Sequence, residues 1–325
     1  MAESVLVTGA TGLVGGALVR HFAAEERRVY AAARNVEKAR AQFGGLANVE
    51  IAEWDVVGQR FPAFGGRAGA QCPPYDVEWL VHAAAETATR HFVERPVETI
   101  ASILDGTRNA LEFARAAEVK SMVYVSSMEV YGSPTAETVT EADIGYLDPV
   151  RLRSNYPEAK RMAENLCVAY ASEYGVPVKI ARLAQTFGEG VRPEDNRVYA
   201  QFARAILEGR DIVLKTDGSA SRCYCAVGDV VAAIAVLLEK GENATPYTVA
   251  NEATFCSVRE MAERLIATHP ESGSRLVFDT SEEAARAYPP SSRLKLDSSR
   301  LRALGWEPKV GLMEMFDQMI EGMRG

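Results

Sequence analysis

The chain has 325 residues, 47% of them hydrophobic and 25% charged, enough apolar material for a large core and more length than one ordinary domain needs. With 36 Lys and Arg against 44 Asp and Glu, the formal net charge is -8 and no basic run is long enough to track phosphates, which argues against nucleic acid or a membrane surface as partner. No apolar run approaches the ~20 residues of a bilayer span and no leader peptide is visible, so a cytoplasmic location is the expectation. The five cysteines, Cys72, Cys167, Cys223, Cys225 and Cys256, form no Cys-x-x-Cys pair and have no histidine set nearby; they read as free thiols of a reducing compartment, and no metal site is expected.

From its start the chain reads SVLVTGATGLVGGALVRHFAAEERRVYAAAR, the pattern of strand, phosphate loop, helix and strand. Gly9 permits the tight turn, Gly12 lets backbone approach a pyrophosphate, and Gly15 lets the helix pack on the sheet; Thr11, Leu13 and Val14 complete the loop. Further candidate strands are Val49 to Trp54, Trp79 to His82, Met122 to Ser126 and Val178 to Arg182, beside Val5 to Thr8 and Val29 to Ala33. Helical stretches at Thr11 to Ala24, Val97 to Ala117 and Pro157 to Tyr174 alternate with them, which implies an α/β fold with a doubly wound parallel sheet. Such sheets bind ligands beyond the carboxyl ends of their strands, at Arg34, Asp55, His82 to Ala85, Ser126 to Glu129 and Arg182 to Phe187. The Gly- and Pro-rich segment Gly58 to Tyr75 reads as a surface loop.

Tyr156 and Lys160 are four residues apart in a helical stretch, so phenol and ammonium share one face. A nearby cation favours the phenolate and brings tyrosine toward the working range of a general base. A surface pair is the alternative for this spacing alone. The second strand ends in AAARN, where NAD-binding domains usually carry an acid for the ribose 2'-hydroxyl. Arg34 cannot accept that hydrogen bond but can pair with a 2'-phosphate, with Lys38 and Arg40 nearby, so the cofactor reading leans to NADP over NAD; stacking of Arg34 on the adenine of NAD is the alternative.

GATGLVG, HAAAET, VSSMEVYG, YPEAK and ARLAQTFGEG, in this order, resemble the extended short-chain dehydrogenase/reductase superfamily, in its NAD-dependent nucleotide-sugar epimerase and dehydratase branch. The similarity runs through SRCYCAVGDVVAAI to LDSSRLRALGWEPKVGLMEMFDQMI. It implies a Rossmann-type domain over residues 1–182 and about 226–250, and a smaller substrate-binding lobe over about 183–225 and 251–325. By the same resemblance Ser127 joins Tyr156 and Lys160 in the catalytic set, with Lys160 also holding the nicotinamide ribose. Asp55 would meet the adenine, Val56 would flank it, and Ala83, Ala84 and Ala85 would wall the pyrophosphate beside a structural His82. Ile103 stands where many relatives have Asn, and Tyr131 reads as structural.

Members acting at sugar C5, the 4,6-dehydratases and uronic acid decarboxylases among them, are similar in having a glutamate at the position of Glu129. The dehydratases place an aspartate just before it, and here that position is Met128, whose thioether donates no proton. Glu129 is thus a C5 base, a sugar ligand or a salt-bridged carboxylate. Gln185, Thr186, Asn196, Arg197, Arg222 and Asn251 fall on segments that meet the substrate in relatives, Arg222 matching the arginine that grips the diphosphate. The implied activity is transient C4 oxidation of a nucleoside-diphosphate sugar, leading to epimerisation, elimination or decarboxylation. The alternatives are an NADPH-dependent ketosugar reductase and a non-enzymatic NAD(P)-sensing protein. Relatives commonly pair as homodimers through the helices at Val97 to Ala117 and Pro157 to Tyr174.

Overall fold

The computed structural model describes residues 3–64, 76–279 and 292–324. In chain order its first part comprises β1 (Val5–Thr8), α1 (Leu13–Ala24), β2 (Val29–Ala33), α2 (Val36–Phe43), β3 (Val49–Glu53), β4 (Ala63–Phe64), β5 (Trp79–His82), α3 (His91–Glu94), α4 (Pro96–Ala116) and β6 (Ser121–Ser127). The middle part runs through α5 (Asn155–Tyr174), β7 (Val178–Leu183), β8 (Gln185–Phe187), α6 (Val198–Leu207), β9 (Ile212–Leu214), β10 (Ser221–Ala226), α7 (Val227–Lys240) and β11 (Pro246–Val249). The last part holds β12 (Asn251–Ser257), α8 (Val258–Thr268), β13 (Leu276–Phe278), β14 (Arg293–Leu294), α9 (Ser299–Arg302) and α10 (Leu312–Arg324).

The main sheet has the order β11-β7-β6-β5-β1-β2-β3-β4, parallel throughout except for β4 at its edge. Both faces are covered, so its strands are apolar almost without interruption, and successive residues serve opposite cores. Val5 and Val7 pack with Leu18, Phe22, Ile234 and Leu237 of α1 and α7, while Leu6 packs with Leu111, Phe113 and Cys167 of α4 and α5. Every strand expected from the sequence is present. The edge strand β4 lies in the segment read as a loop; residues 65–75 of that segment, Cys72 among them, lie outside the described residues. The other four cysteines are buried free thiols.

Topology places the binding crevice. β1 sits between β2 and β5, so the chain leaves it in one direction through β2 and β3 and in the other through β5, β6, β7 and β11. The loops after β1 and β5 diverge at that switch and leave a cleft above the strand ends. A second sheet stands across the cleft, with β10 antiparallel to β12 and parallel to β14 and β8. Its core joins Phe187, Tyr199, Tyr224 and Phe316, with Phe187 stacked on Tyr199 at 4.4 Å and edge-on to Phe316 at 5.0 Å. Among the described residues no helix is long and apolar enough to cross a membrane.

Candidate active site

β1 turns into α1 through Gly9, whose φ is +66° and where an added Cβ would lie 2.8 Å from the Ala84 nitrogen. At Gly15 a Cβ would lie 2.2 Å from the Gly9 carbonyl oxygen. A side chain at Gly9 would push against the loop after β5, and one at Gly15 would push α1 off the turn that follows β1. No side chain caps the start of α1 at Gly12, so its amides remain for a ligand. This bare cradle fits a dinucleotide pyrophosphate. Gly9, Thr11, Gly12, Leu13, Val14, Gly15, Arg34, Asp55, Val56 and Ala83, Ala84 and Ala85 all line one cleft of about 1400 Å³. His82 braces it from below: its Nδ1 meets Thr8 Oγ1 at 2.8 Å, and that oxygen accepts from the Ala84 amide at 3.1 Å. Burial, with Lys160 beside it, lowers its pKa to about 3, so the ring is a neutral strut.

Ser127, Glu129, Tyr156 and Lys160 line the same cleft. Ser127 ends β6 and its Oγ accepts from the Glu129 amide at 3.2 Å. Tyr156 and Lys160 occupy the first turns of α5, both buried, with the Lys160 ammonium 6.0 Å from the Tyr156 ring centre. Lys160 Nζ donates to the Val125 carbonyl at 2.8 Å and sits 4.8 Å from the centre of the Tyr124 ring. Burial lowers its pKa to about 8 against the opposing pull of Glu164. Burial also pushes the Tyr156 phenol above its ordinary range, and the Glu129 carboxylate adds to this; Ser127, Arg153 and Arg197 pull it down.

The sequence singles out Lys160 as the cation that lowers the Tyr156 pKa; in the structure burial raises it, and the cations that pull it down are Arg153 and Arg197. Arg153 was missed altogether. Its Nη2 is 3.0 Å from Glu129 Oε1, and its guanidinium lies 4.7 Å from the centre of the Phe92 ring, which in turn stacks on Tyr156 at 4.3 Å. Of the readings open for Glu129, this arrangement realises the salt-bridged carboxylate, placed on the wall of the cleft.

The residues expected to meet the substrate divide. Gln185, Thr186 and Arg197 line the cleft, with Arg197 Nε held 3.0 Å from both Asp195 carboxylate oxygens. Asn196, Arg222 and Asn251 lie outside its wall. Asn196 is exposed and accepts from Gln201 through its carbonyl; Arg222 donates to Ser292 at 3.4 Å. Asn251 is buried and holds a loop, donating to the Val310 carbonyl at 3.0 Å and accepting from the Ala253 amide at 3.1 Å. Tyr131 is structural, its hydroxyl 2.5 Å from Thr248 Oγ1 in the core. Among the described residues no cluster of His, Cys, Asp and Glu is placed to hold a metal ion.

Known proteins are similar to this chain in sequence and in fold. UDP-glucuronic acid decarboxylase 6 of Arabidopsis thaliana is 29% identical over 98% of this chain and 88% of its own. UDP-glucuronic acid decarboxylase 5 of the same plant is 30% identical over 77% of this chain and 71% of its own. Among solved structures, UDP-glucose 4-epimerase of Thermotoga maritima with UDP-glucose superposes with a TM-score of 0.79 at 22% identity, covering 99% of each chain. The dTDP-glucose 4,6-dehydratase DesIV of Streptomyces venezuelae, with NAD and TYD bound, gives a TM-score of 0.79 at 24% identity over 99% of this chain and 97% of that one. A profile of the NAD dependent epimerase/dehydratase family matches residues 5–251, and this chain, with its glycine cradle and its Ser127, Tyr156 and Lys160 in one cleft, belongs to that family.

Proposed function

We propose that this enzyme oxidises a nucleoside-diphosphate sugar transiently at C4 and, with a uronic acid as the sugar, decarboxylates it. The observation that carries the reading is the convergence of Ser127, Tyr156, Lys160 and Glu129, which is itself paired with Arg153, at one cleft. Met128 in place of an acid weighs against 4,6-elimination, and the decarboxylase relatives support the uronic acid.

A bound nicotinamide dinucleotide supplies the reversible oxidation at C4. Tyr156 takes the proton of the C4 hydroxyl while Ser127 hydrogen-bonds that oxygen, and Lys160 holds the cofactor ribose. Once C4 is a ketone, the C5–C6 bond breaks, its electron pair moves toward the C4 oxygen, and carbon dioxide leaves. The hydroxyls of Tyr156 and Ser127 donate to the enolate oxygen. Glu129 relays a solvent proton to C5, and reduction at C4 restores the hydroxyl. With a neutral hexose the same site would take the C5 proton through Glu129, or return the C4 carbonyl as its epimer.

The cofactor in this reading is NADP, supported by Arg34 and Lys38 on the cleft wall. A ketosugar reductase shares that preference, while a purely sensing protein would not require Ser127, Tyr156 and Lys160 together. The lobe boundaries stay as the resemblance implies. A homodimer through α4 and α5 is supported by Val97, Ile100 and Met162, which those helices leave exposed.

The deciding experiment incubates the purified protein in heavy water with UDP-glucuronic acid and a panel of UDP-, dTDP- and CDP-hexoses, with and without NADPH, followed by proton NMR. Decarboxylation predicts a nucleotide pentose with deuterium at C5. A C4 epimer retaining H5 would replace it with simple epimerisation, and product formed only with stoichiometric NADPH would make the enzyme a reductase.

A further inference from the structure

The loop from β8 to α6 reaches the cofactor half of the cleft. Gly188 and Gly190, at φ +128° and +81°, turn it away from β8, and a Cβ at Gly190 would lie 3.5 Å from Leu13 Cδ1. Two residues on, Arg192 Nη2 donates to the Thr11 carbonyl at 3.1 Å, binding this loop to the glycine cradle 181 residues earlier. Arg192 also lies close enough to Lys38, in the first turn of α2, to bear on it: burial and the Arg192 charge both lower the Lys38 pKa. Arg34 at the end of β2 and Arg20 of α1 line the same cleft.

These four cations have no ion-pair partner among the described residues, and Asp55 and Glu194, which also line the cleft, pair with none of them. The other arginines that line the cleft are paired, Arg95 with Glu98 and Arg197 with Asp195. Like charges gathered without a counter-charge are unfavourable in the free protein and become favourable with an anion between them. The end of β2 is where a dinucleotide presents its adenosine ribose in this fold, and the chemistry that suits a guanidinium and an ammonium there is a phosphate monoester.

We propose that Arg192, from across the cleft, completes a 2'-phosphate site with Arg34 and Lys38 and is the residue by which the enzyme distinguishes the phosphorylated dinucleotide. This rests on the NADP reading above and extends it to a residue of the β8–α6 loop. The loop carries Asp195 and Arg197 at its far end, so one short segment touches both halves of the cleft.

The test is calorimetric titration of the purified protein, after exchange of any co-purifying nucleotide, with NADPH and NADH. Arg192→Ala is expected to weaken NADPH about tenfold, the value of one charge-assisted hydrogen bond, and NADH by less than about twofold. Arg192→Lys, which keeps the charge and loses the fork, is expected to fall between. A wild-type protein that prefers NADH overturns the cofactor reading and this proposal together. A wild-type preference for NADPH that survives in Arg192→Ala, or equal losses for both dinucleotides, overturns the role of Arg192 alone and leaves the NADP reading standing.

Discussion

Arg153 meets Glu129, a residue of the cleft wall, at 3.0 Å, and the two act on Tyr156 in opposite senses, the carboxylate raising the phenol's pKa and the guanidinium lowering it. Both side chains are partly exposed, at 43% and 32%, so the pair contributes little to stability, within about 1 kcal/mol. Its consequence is electrostatic and positional. Arg153 also covers Phe92, which stacks on Tyr156, so one guanidinium aligns the carboxylate through charge and the phenol through a ring.

Removing either partner therefore moves the pH profile in a predictable direction. Tyr156 must lose a proton to act as base, so the acidic limb of kcat/KM follows its pKa. Arg153→Ala removes a lowering charge and is expected to shift that limb to higher pH, with a rate loss of about tenfold at neutral pH. Glu129→Gln removes the raising charge and is expected to shift the limb of C4 oxidation to lower pH while suppressing C5 deuterium incorporation. Steady-state rates across pH, with unfolding free energies unchanged within about 0.5 kcal/mol, would establish this. Identical limbs in all three proteins would reduce the pair to a surface contact.

Tyr156→Phe keeps the ring that stacks on Phe92 and deletes only the proton acceptor. Turnover is expected to fall by about 10²–10⁴, the usual range for a general base, with dinucleotide affinity preserved. Ser127→Ala should show a smaller loss, since its hydroxyl orients the reacting oxygen and does not carry the proton. If Tyr156→Phe turned over normally, the base would have to be another group, and Glu129 would be the next to replace.

What was legible in the sequence is what depends on near neighbours. The buried strands announce themselves as apolar runs, the glycine cradle as a spacing, and Tyr156 with Lys160 as an i, i+4 pair. Contacts made by folding were not legible: Phe92 reaches Tyr156 across 64 positions, and Arg192 reaches Thr11 across 181. Neither carries a local pattern. The two-residue β4 is too short for any periodicity. Arg182 shows the opposite error, for it lies where a strand end invites a ligand, yet it is buried against Glu164 at 2.7 Å, and Ser126 donates to that same carboxylate. Position beyond a strand end says where to look; only burial and partners separate a ligand contact from a brace.

Lys179 is a buried charge with no part in the proposed chemistry. It lies on β7, 5% exposed, and its ammonium donates to Ser121 Oγ at 2.8 Å and the Pro177 carbonyl at 3.2 Å, with no carboxylate partner among the described residues. Burial lowers its pKa from 10.5 to about 8. Below pH 8 both folded and unfolded chains hold the proton, and the folded state bears the full cost of the buried ammonium. Between pH 8 and 10.5 the unfolded chain holds a proton that the folded one has released, so this residue's effect on stability becomes less unfavourable as pH rises. Lys179→Met is therefore expected to stabilise the protein at pH 7 by about 1 kcal/mol, as replacing a poorly compensated buried charge often does. Ser121 is not stranded by the change, because its hydroxyl still donates to the Leu238 carbonyl at 2.7 Å. Cysteines and tyrosines titrate in the same alkaline range, so the informative quantity is the difference between variant and wild type in urea unfolding at pH 7 and at pH 10. That difference should shrink toward zero at the higher pH; a variant that is less stable than wild type by the same amount at both would show that Lys179 contributes through packing and not through its charge.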